Sequence, residues 1–156
     1  MSGCKKSNRQ QQHHQCLIIG SFRKHYKEIL RIIDIFHNAG VKVLSQKKSF
    51  IINPKDEFVI FDYDPKNKSK REIEDAVLKK MHNVDFVYLA NFNGYIGPSA
   101  SFEIGYCFAH GITVFALQQS EELCIEYIDD IKTPEEVVQV IKNQQQNDRK
   151  REGKHL

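Results

Sequence analysis

Between Phe86 and Ser120 this chain carries one formal charge, the carboxylate of Glu103. The whole chain is 28% charged, so an even spread would place about ten charges in that stretch. Glu103 sits in Asn91-Phe92-Asn93-Gly94-Tyr95-Ile96-Gly97-Pro98-Ser99-Ala100-Ser101-Phe102-Glu103-Ile104-Gly105-Tyr106. A glycine-rich turn feeds a helix, and the helix holds an acid among apolar residues. Burying an ionised carboxylate without a partner is costly. Such an acid is either paired with a group distant in sequence or kept reactive for chemistry. The first role makes Glu103 a structural acid bonded to a tyrosine or a backbone amide. The second keeps it available for chemistry on a ligand.

Two loops could place a substrate beside it. Gly94-Tyr95-Ile96-Gly97-Pro98-Ser99 combines two glycines with a stiffening proline. Ser99 is the expected N-cap, leaving free helix amides to bind an anion or a sugar hydroxyl. Tyr95 either stacks on a base or fills the core. Asn91, Gly94, Tyr95, Gly97 and Ser99 are the binding candidates here. Gly20-Ser21-Phe22-Arg23 is the second loop. Its glycine permits close backbone approach, Ser21 offers a hydroxyl, and Arg23 offers a forked donor suited to phosphate. A plain turn with an exposed arginine fits the same residues. Asp62 and Asp64, before Pro65, are candidates for a second acid near the cleft; a polar turn is the other reading. Asp85 opens a strand and reads as structural, and His25 and His110 as surface or cap residues.

The elements that must hold these residues alternate. Cys16–Gly20 reads as a strand buried on both faces. Ile29, Ile32, Ile33 and Phe36 give a helical stripe that Gly40 ends. Val41–Leu44 is the next strand, and Ser49–Phe61 looks like an inserted hairpin around Asn53-Pro54. Ser69 and Glu72 form a capping box for a helix with Ile73, Val77 and Met81 on its apolar side. Phe86–Ala90 and Ile112–Leu117 are further strands flanking a helix at Ser99–His110, where Gly105 is expected to pack close to the sheet. Leu123–Ile128 is the expected fifth strand. Thr133-Pro134-Glu135-Glu136 starts a last helix. The pattern predicts an α/β three-layer sandwich, flavodoxin-like or Rossmann-like, with a parallel five-stranded sheet ordered 2-1-3-4-5. Ligands bind such sheets at the switch point between the first and third strands. Both loops lead there.

Bulk composition narrows the function classes. The net charge is +3 over 156 residues. Residues 1–15 hold three basic residues and no acid, and residues 142–156 hold five against two acids. The middle is therefore acidic overall, which argues against nucleic acid as a partner. The expected organisation is a disordered tail at 1–15, one domain at 16–143 and a disordered basic tail at 144–156. The four cysteines have no metal-ligand or redox spacing, so no metal site is expected. No apolar signal region or membrane-length run is present, which points to a cytoplasmic protein with no membrane partner.

Gly97-x-Ser99-x-x-x-Glu103-Ile104-Gly105-Tyr106-x-x-Ala109-x-Gly111-x-x-Val114 resembles the signature of the nucleoside 2-deoxyribosyltransferase superfamily. Gly20-Ser21-Phe22-Arg23 resembles the phosphate loop of its 2'-deoxynucleoside 5'-phosphate N-hydrolase branch. The segment from Asn91 is also similar to an uncharacterised subgroup with a Gly-Tyr-Ile-Gly-x-Ser run. The resemblance spans roughly 16–117. It implies an enzyme cleaving or transferring at the N-glycosidic bond of a nucleoside or nucleoside 5'-monophosphate. Glu103 would be the nucleophile, Ser21 and Arg23 would grip phosphate, and Ser99 would contact phosphate or sugar. It implies no metal or organic cofactor, and a homodimer or higher homo-oligomer. The chain departs from the family at Gly97, where members carry Asp or Ser, at Leu17, where many carry Tyr, and in the 49–61 insertion. The departure at Gly97 favours an alternative, a non-catalytic nucleotide-binding module of the same fold.

Overall fold

The computed structural model describes residues 13–44 and 68–154. In order these form β1 (Gln15–Gly20), α1 (Phe22–Asn38), β2 (Lys42–Val43), α2 (Lys70–Met81), β3 (Phe86–Ala90), α3 (Pro98–Ala109), β4 (Val114–Ala116), β5 (Asp130–Ile131) and α4 (Pro134–Gly153). Short 3-10 turns occupy Phe92–Gly94 and Leu123–Tyr127. The sheet is parallel throughout and ordered β2-β1-β3-β4-β5, as the alternation predicts.

Strand alternation builds two cores. Cys16 and Ile18 face one layer, packing with Phe22, Ile29, Ile33 and Phe36 of α1 and with Val137 and Ile141 of α4. Leu17 and Ile19 face the other, packing with Leu78 and Met81 of α2 and with Ala100, Ile104 and Cys107 of α3. Successive strand side chains point to opposite faces, so four consecutive apolar residues serve both layers. Phe36 stacks edge-on against Phe86 and Tyr88. The Tyr88 hydroxyl escapes the apolar layer by donating to the Lys132 carbonyl at 2.8 Å.

The helix starts are set locally. Ser69 accepts from the Glu72 amide at 3.2 Å and Glu72 accepts from the Ser69 amide at 2.7 Å, closing the expected capping box. Thr133 and Glu136 close another at α4. In a parallel sheet each connecting helix runs against the strands, so it begins at their carboxyl ends. The first turns of α1, α2 and α3 therefore lie at the switch-point end.

Several expectations need correction. The fifth strand is not Leu123–Ile128 but Asp130–Ile131, paired with Phe115 and Ala116. Only Ile125 of the earlier run is buried among the 3-10 residues, and the Asp129 carboxylate bonds the Val114 amide at 2.7 Å, fixing the later register. Residues 144–153, expected in a tail, continue α4 as exposed helix. Their Gln, Lys, Arg and Glu side chains are good helix formers. Ser99 is not the N-cap of α3; Gly97 is, with Pro98 at the first helical position. Gly105 is exposed, with no neighbour within 4 Å of where a Cβ would stand, so it does not pack against the sheet. The proposed hairpin at 49–61 lies outside the described residues.

Candidate active site

Gly20 and Ala90 are register partners at the ends of β1 and β3. A Cβ on Gly20 would stand 2.7 Å from the Ala90 carbonyl oxygen, and its φ is +146°. Only glycine lets the two strands part here. Ser21 then occupies the N-cap position of α1, but its hydroxyl makes no capping bond. Phe22 turns into the core beside α1. Arg23 is half-buried in the first helical turn. His25 departs from helical geometry (φ −132°, ψ 34°), kinking α1 at this point.

The loop after β3 is sewn to the segment after β4. The fully buried Asn91 donates through Nδ2 to the Gln118 carbonyl at 2.7 Å and accepts from the Gln118 amide at 3.0 Å. Asn93 and Gly94 are both left-handed, with φ of 56° and 73°. Ser120 Oγ donates to the Gly94 carbonyl at 2.7 Å. Ser101 Oγ donates to the Gly97 carbonyl at 3.1 Å. Asn91 therefore spends its carboxamide on holding the loop.

The two loops meet. Lys24 Nζ lies 3.7 Å above the Tyr95 ring centroid, and the His25 and Phe92 rings are 4.9 Å apart. The Tyr95 hydroxyl lies near Gly97, 3.6 Å from where a Cβ would be. A cation over an aromatic face is attracted by the ring quadrupole. Tyr95 thus stands in the space between the loops, not in either core.

Glu103 occupies the second turn of α3 and is 7% exposed. Its neighbour across the helix seam is Glu74, half-buried in the second turn of α2 and close enough to act on its pKa. Burial holds Glu103 well above the usual carboxylate range, and the charge of Glu74 and their hydrogen bond add to the rise. Burial also raises Glu74; the bond from Glu103 opposes that rise, and Asp75 adds to it. Both shifts run the same way, so the two acids together resist full ionisation. Oε1 of Glu74 is buried and has no hydrogen-bond partner among the described residues. The neighbouring Cys107 thiol is pushed up to about 12, by burial first and then by the Glu103 charge. It is no nucleophile.

Glu74 is the residue sequence reasoning missed. Its signal was there: it precedes the buried Leu78 by four residues and Met81 by seven, placing an acid on the apolar stripe of α2. Gln118 and Ser120, which fix the loop, carry no sequence signature. Asp62 and Asp64 lie outside the described residues. No group of three or more His, Cys, Asp or Glu side chains among the described residues is arranged to hold a metal ion. No helix among them is long and apolar enough to cross a membrane.

No protein-family model and no curated protein matches the sequence. Solved structures do match the fold. A conserved protein from Enterococcus faecalis V583 superposes with a TM-score of 0.60 at 13% identity, covering 85% of this chain and 99% of that one. The CMP N-glycosidase BcmB of Clostridium botulinum superposes with a TM-score of 0.53 at 14% identity, covering 82% of this chain and 97% of its own. The chain therefore shares the whole-domain architecture of these two proteins.

Proposed function

We propose that this protein breaks or exchanges the N-glycosidic bond of a nucleoside or nucleoside 5'-monophosphate, with Glu103 as the nucleophile. The observation that carries the reading is the buried Glu103 beside the half-buried Glu74, whose buried Oε1 has no hydrogen-bond partner among the described residues, at the switch-point end of the sheet. N-glycoside cleavage needs a carboxylate facing the anomeric carbon and a proton for the departing base. Two neighbouring acids that resist full ionisation supply both. The fold shared with a CMP N-glycosidase supports the same chemistry.

In the proposed first step the proton passes through Glu74 to the base nitrogen as the carbon–nitrogen bond breaks. Glu103 closes an ester to the anomeric carbon. The base leaves neutral, and Glu74 is left ionised. In the second step water attacks the same carbon and gives its proton to Glu74, releasing the sugar and restoring the Glu103 carboxylate. A nucleobase acceptor in place of water gives base exchange. The unpartnered Oε1 of Glu74 is an acceptor for that water or for a sugar hydroxyl. The Ser21 hydroxyl and Arg23 sit at the start of α1, where helix amides favour a phosphate. Tyr95 offers a ring face for the base once Lys24 moves aside.

The non-catalytic module of the same fold is favoured by one observation: Gly97 offers only backbone where the resembled family places a polar side chain. Incubation with a panel of nucleosides and nucleotides separates the two readings. The enzyme releases free base from at least one, and Glu103→Gln releases none; calorimetric binding with no base release supports the module. Arg23→Ala is expected to raise KM for a 5'-monophosphate more than for the parent nucleoside.

A further inference from the structure

Residues 142–153 extend α4 past the last side chain it buries, Ile141. All of them are exposed, and none carries an apolar side chain. As helix, the stretch sorts charges that a tail would scatter. Val137, Ile141, Gln145, Asp148 and Glu152 recur at three- and four-residue steps and share one side. Val137 and Ile141 are buried, and Gln145 Nε2 lies 3.3 Å from His14 Nδ1, so this side faces the domain. The opposite side carries Lys142, Asn143, Gln146 and Lys150, flanked by Arg149 and Lys154. Both acids of the extension thus fall on the inner row, and the outer face has none. Lys142, Arg149 and Lys150 make no ion pair among the described residues. The negative end of the helix dipole accounts for Lys150 and Arg151 in the last turn. It does not account for Lys142, about three turns earlier, or for a face cleared of acids.

We propose that this outer face docks on double-stranded DNA, lying along the major groove with Lys142, Arg149 and Lys150 on the phosphates. The charge selects a polyanion, and duplex DNA carries one negative charge per about 1.7 Å. The side-chain types select among polyanions and other partners. A membrane surface holds a helix by its apolar face, and a protein groove holds one by apolar anchors. This stretch has neither. Single strands are gripped by aromatic rings that stack on bases, and residues 142–153 contain none. The major groove of A-form RNA is too narrow for side chains to read. That of DNA is about 12 Å wide and admits a helix. Asn143 and Gln146 bring amide groups that bond base edges or phosphates. The chain before His14 holds Lys5, Lys6 and Arg9 with no acid, and it joins the domain beside this helix. The acidic balance of the middle of the chain speaks against DNA on the body of the domain and does not extend to this helix. Because α4 starts at the carboxyl ends of the strands, its free end lies away from the switch point. DNA held there leaves the candidate active site open.

Fluorescence anisotropy of a labelled duplex of about 20 base pairs, titrated with the full chain at about 0.1 M salt, tests this. Half-saturation is expected at about 10⁻⁴–10⁻⁶ M, the range of sequence-independent binding. Log affinity against log salt should fall with a slope of about −3, for three neutralised phosphates. The double variant Lys142→Glu, Lys150→Glu should bind about tenfold more weakly or worse. Both positions are exposed, so its circular dichroism should match the wild type. Lys70→Glu with Lys79→Glu makes the same change of net charge at exposed positions of α2. That control should weaken binding by less than about threefold. No anisotropy change at about 10⁻⁴ M protein overturns the proposal. So does an equal loss in the two double variants, or tighter binding to single-stranded RNA or to phosphatidylserine vesicles than to the duplex.

Discussion

Glu74 on α2 and Glu103 on α3 stand close enough across the seam between two helices that Glu74 adds to the rise burial imposes on the Glu103 pKa. The helices start at the same end of the sheet, so two second-turn residues 29 positions apart in sequence arrive at one depth. Neither acid is paired with a cation among the described residues. The pair is therefore strained against ionisation, and that strain sets its pH behaviour.

The first consequence is a stability slope. The folded-state pKa of Glu103 lies above its ordinary value of 4.5, so the native state keeps a proton that the unfolded chain releases. Stability from this group is full in acid and is lost as the pH rises through the raised pKa. Glu103→Gln keeps a donor to Glu74 and removes the titration. Its Tm should match the wild type near about pH 5 and exceed it by several degrees near about pH 8. Thermal melts across that range check the slope.

Glu74→Gln should lower base release about 10²–10⁴-fold, the usual scale of a lost general acid. The alkaline limb of the rate profile, set by loss of the proton the two acids retain, should vanish, while the acid limb from Glu103 remains. Substrates whose base leaves without protonation should lose least. Steady-state rates against pH for two leaving groups measure both effects.

Asn91→Ala should destabilise the fold by about 1–3 kcal/mol, because it removes two part-buried hydrogen bonds to the amide and the carbonyl of Gln118. Urea denaturation reads this directly. The loop from Asn91 to Gly97 should become more open to proteolysis in the same variant.

Gly20→Ala and Gly40→Ala make a matched pair. Both glycines have positive φ, but a Cβ at Gly20 meets the Ala90 carbonyl at 2.7 Å, whereas Gly40 has open space. The Gly40 change should cost about 1 kcal/mol from backbone strain alone. The Gly20 change should cost about 2–4 kcal/mol, adding a clash with backbone that cannot swing away. Denaturant midpoints for both variants check the difference.

The sheet order was legible because runs such as Cys16–Ile19 and Phe86–Ala90 are apolar at every position, which only a strand covered on both faces requires. The helix starts at Ser69 and Thr133 were legible because capping boxes are local. The fifth strand was misplaced because the apolar run at Leu123–Ile125 looks like a strand and is a 3-10 turn on an exposed patch. Its true position, Asp130–Ile131, is two residues long and is fixed by register with β4. The site divides the same way. Glu103 announced itself by isolation in an uncharged stretch. Glu74 sits among Glu72, Asp75 and Arg71, and the one sign that it turns inward, its spacing to Leu78 and Met81, is easily lost among those charges. Asn91 was read as a substrate contact, while its carboxamide is used by Gln118, a partner that sequence separation hides.

The most direct test of the central claim is mass spectrometry of the covalent intermediate. Wild type and Glu74→Gln are mixed with a 5'-monophosphate that releases its base, quenched in acid and digested. A glycosyl phosphate adduct should appear on the peptide containing Glu103 and should build up further in Glu74→Gln, where water lacks its base. Base release with no adduct, or an adduct on any other residue, would contradict Glu103 as the nucleophile.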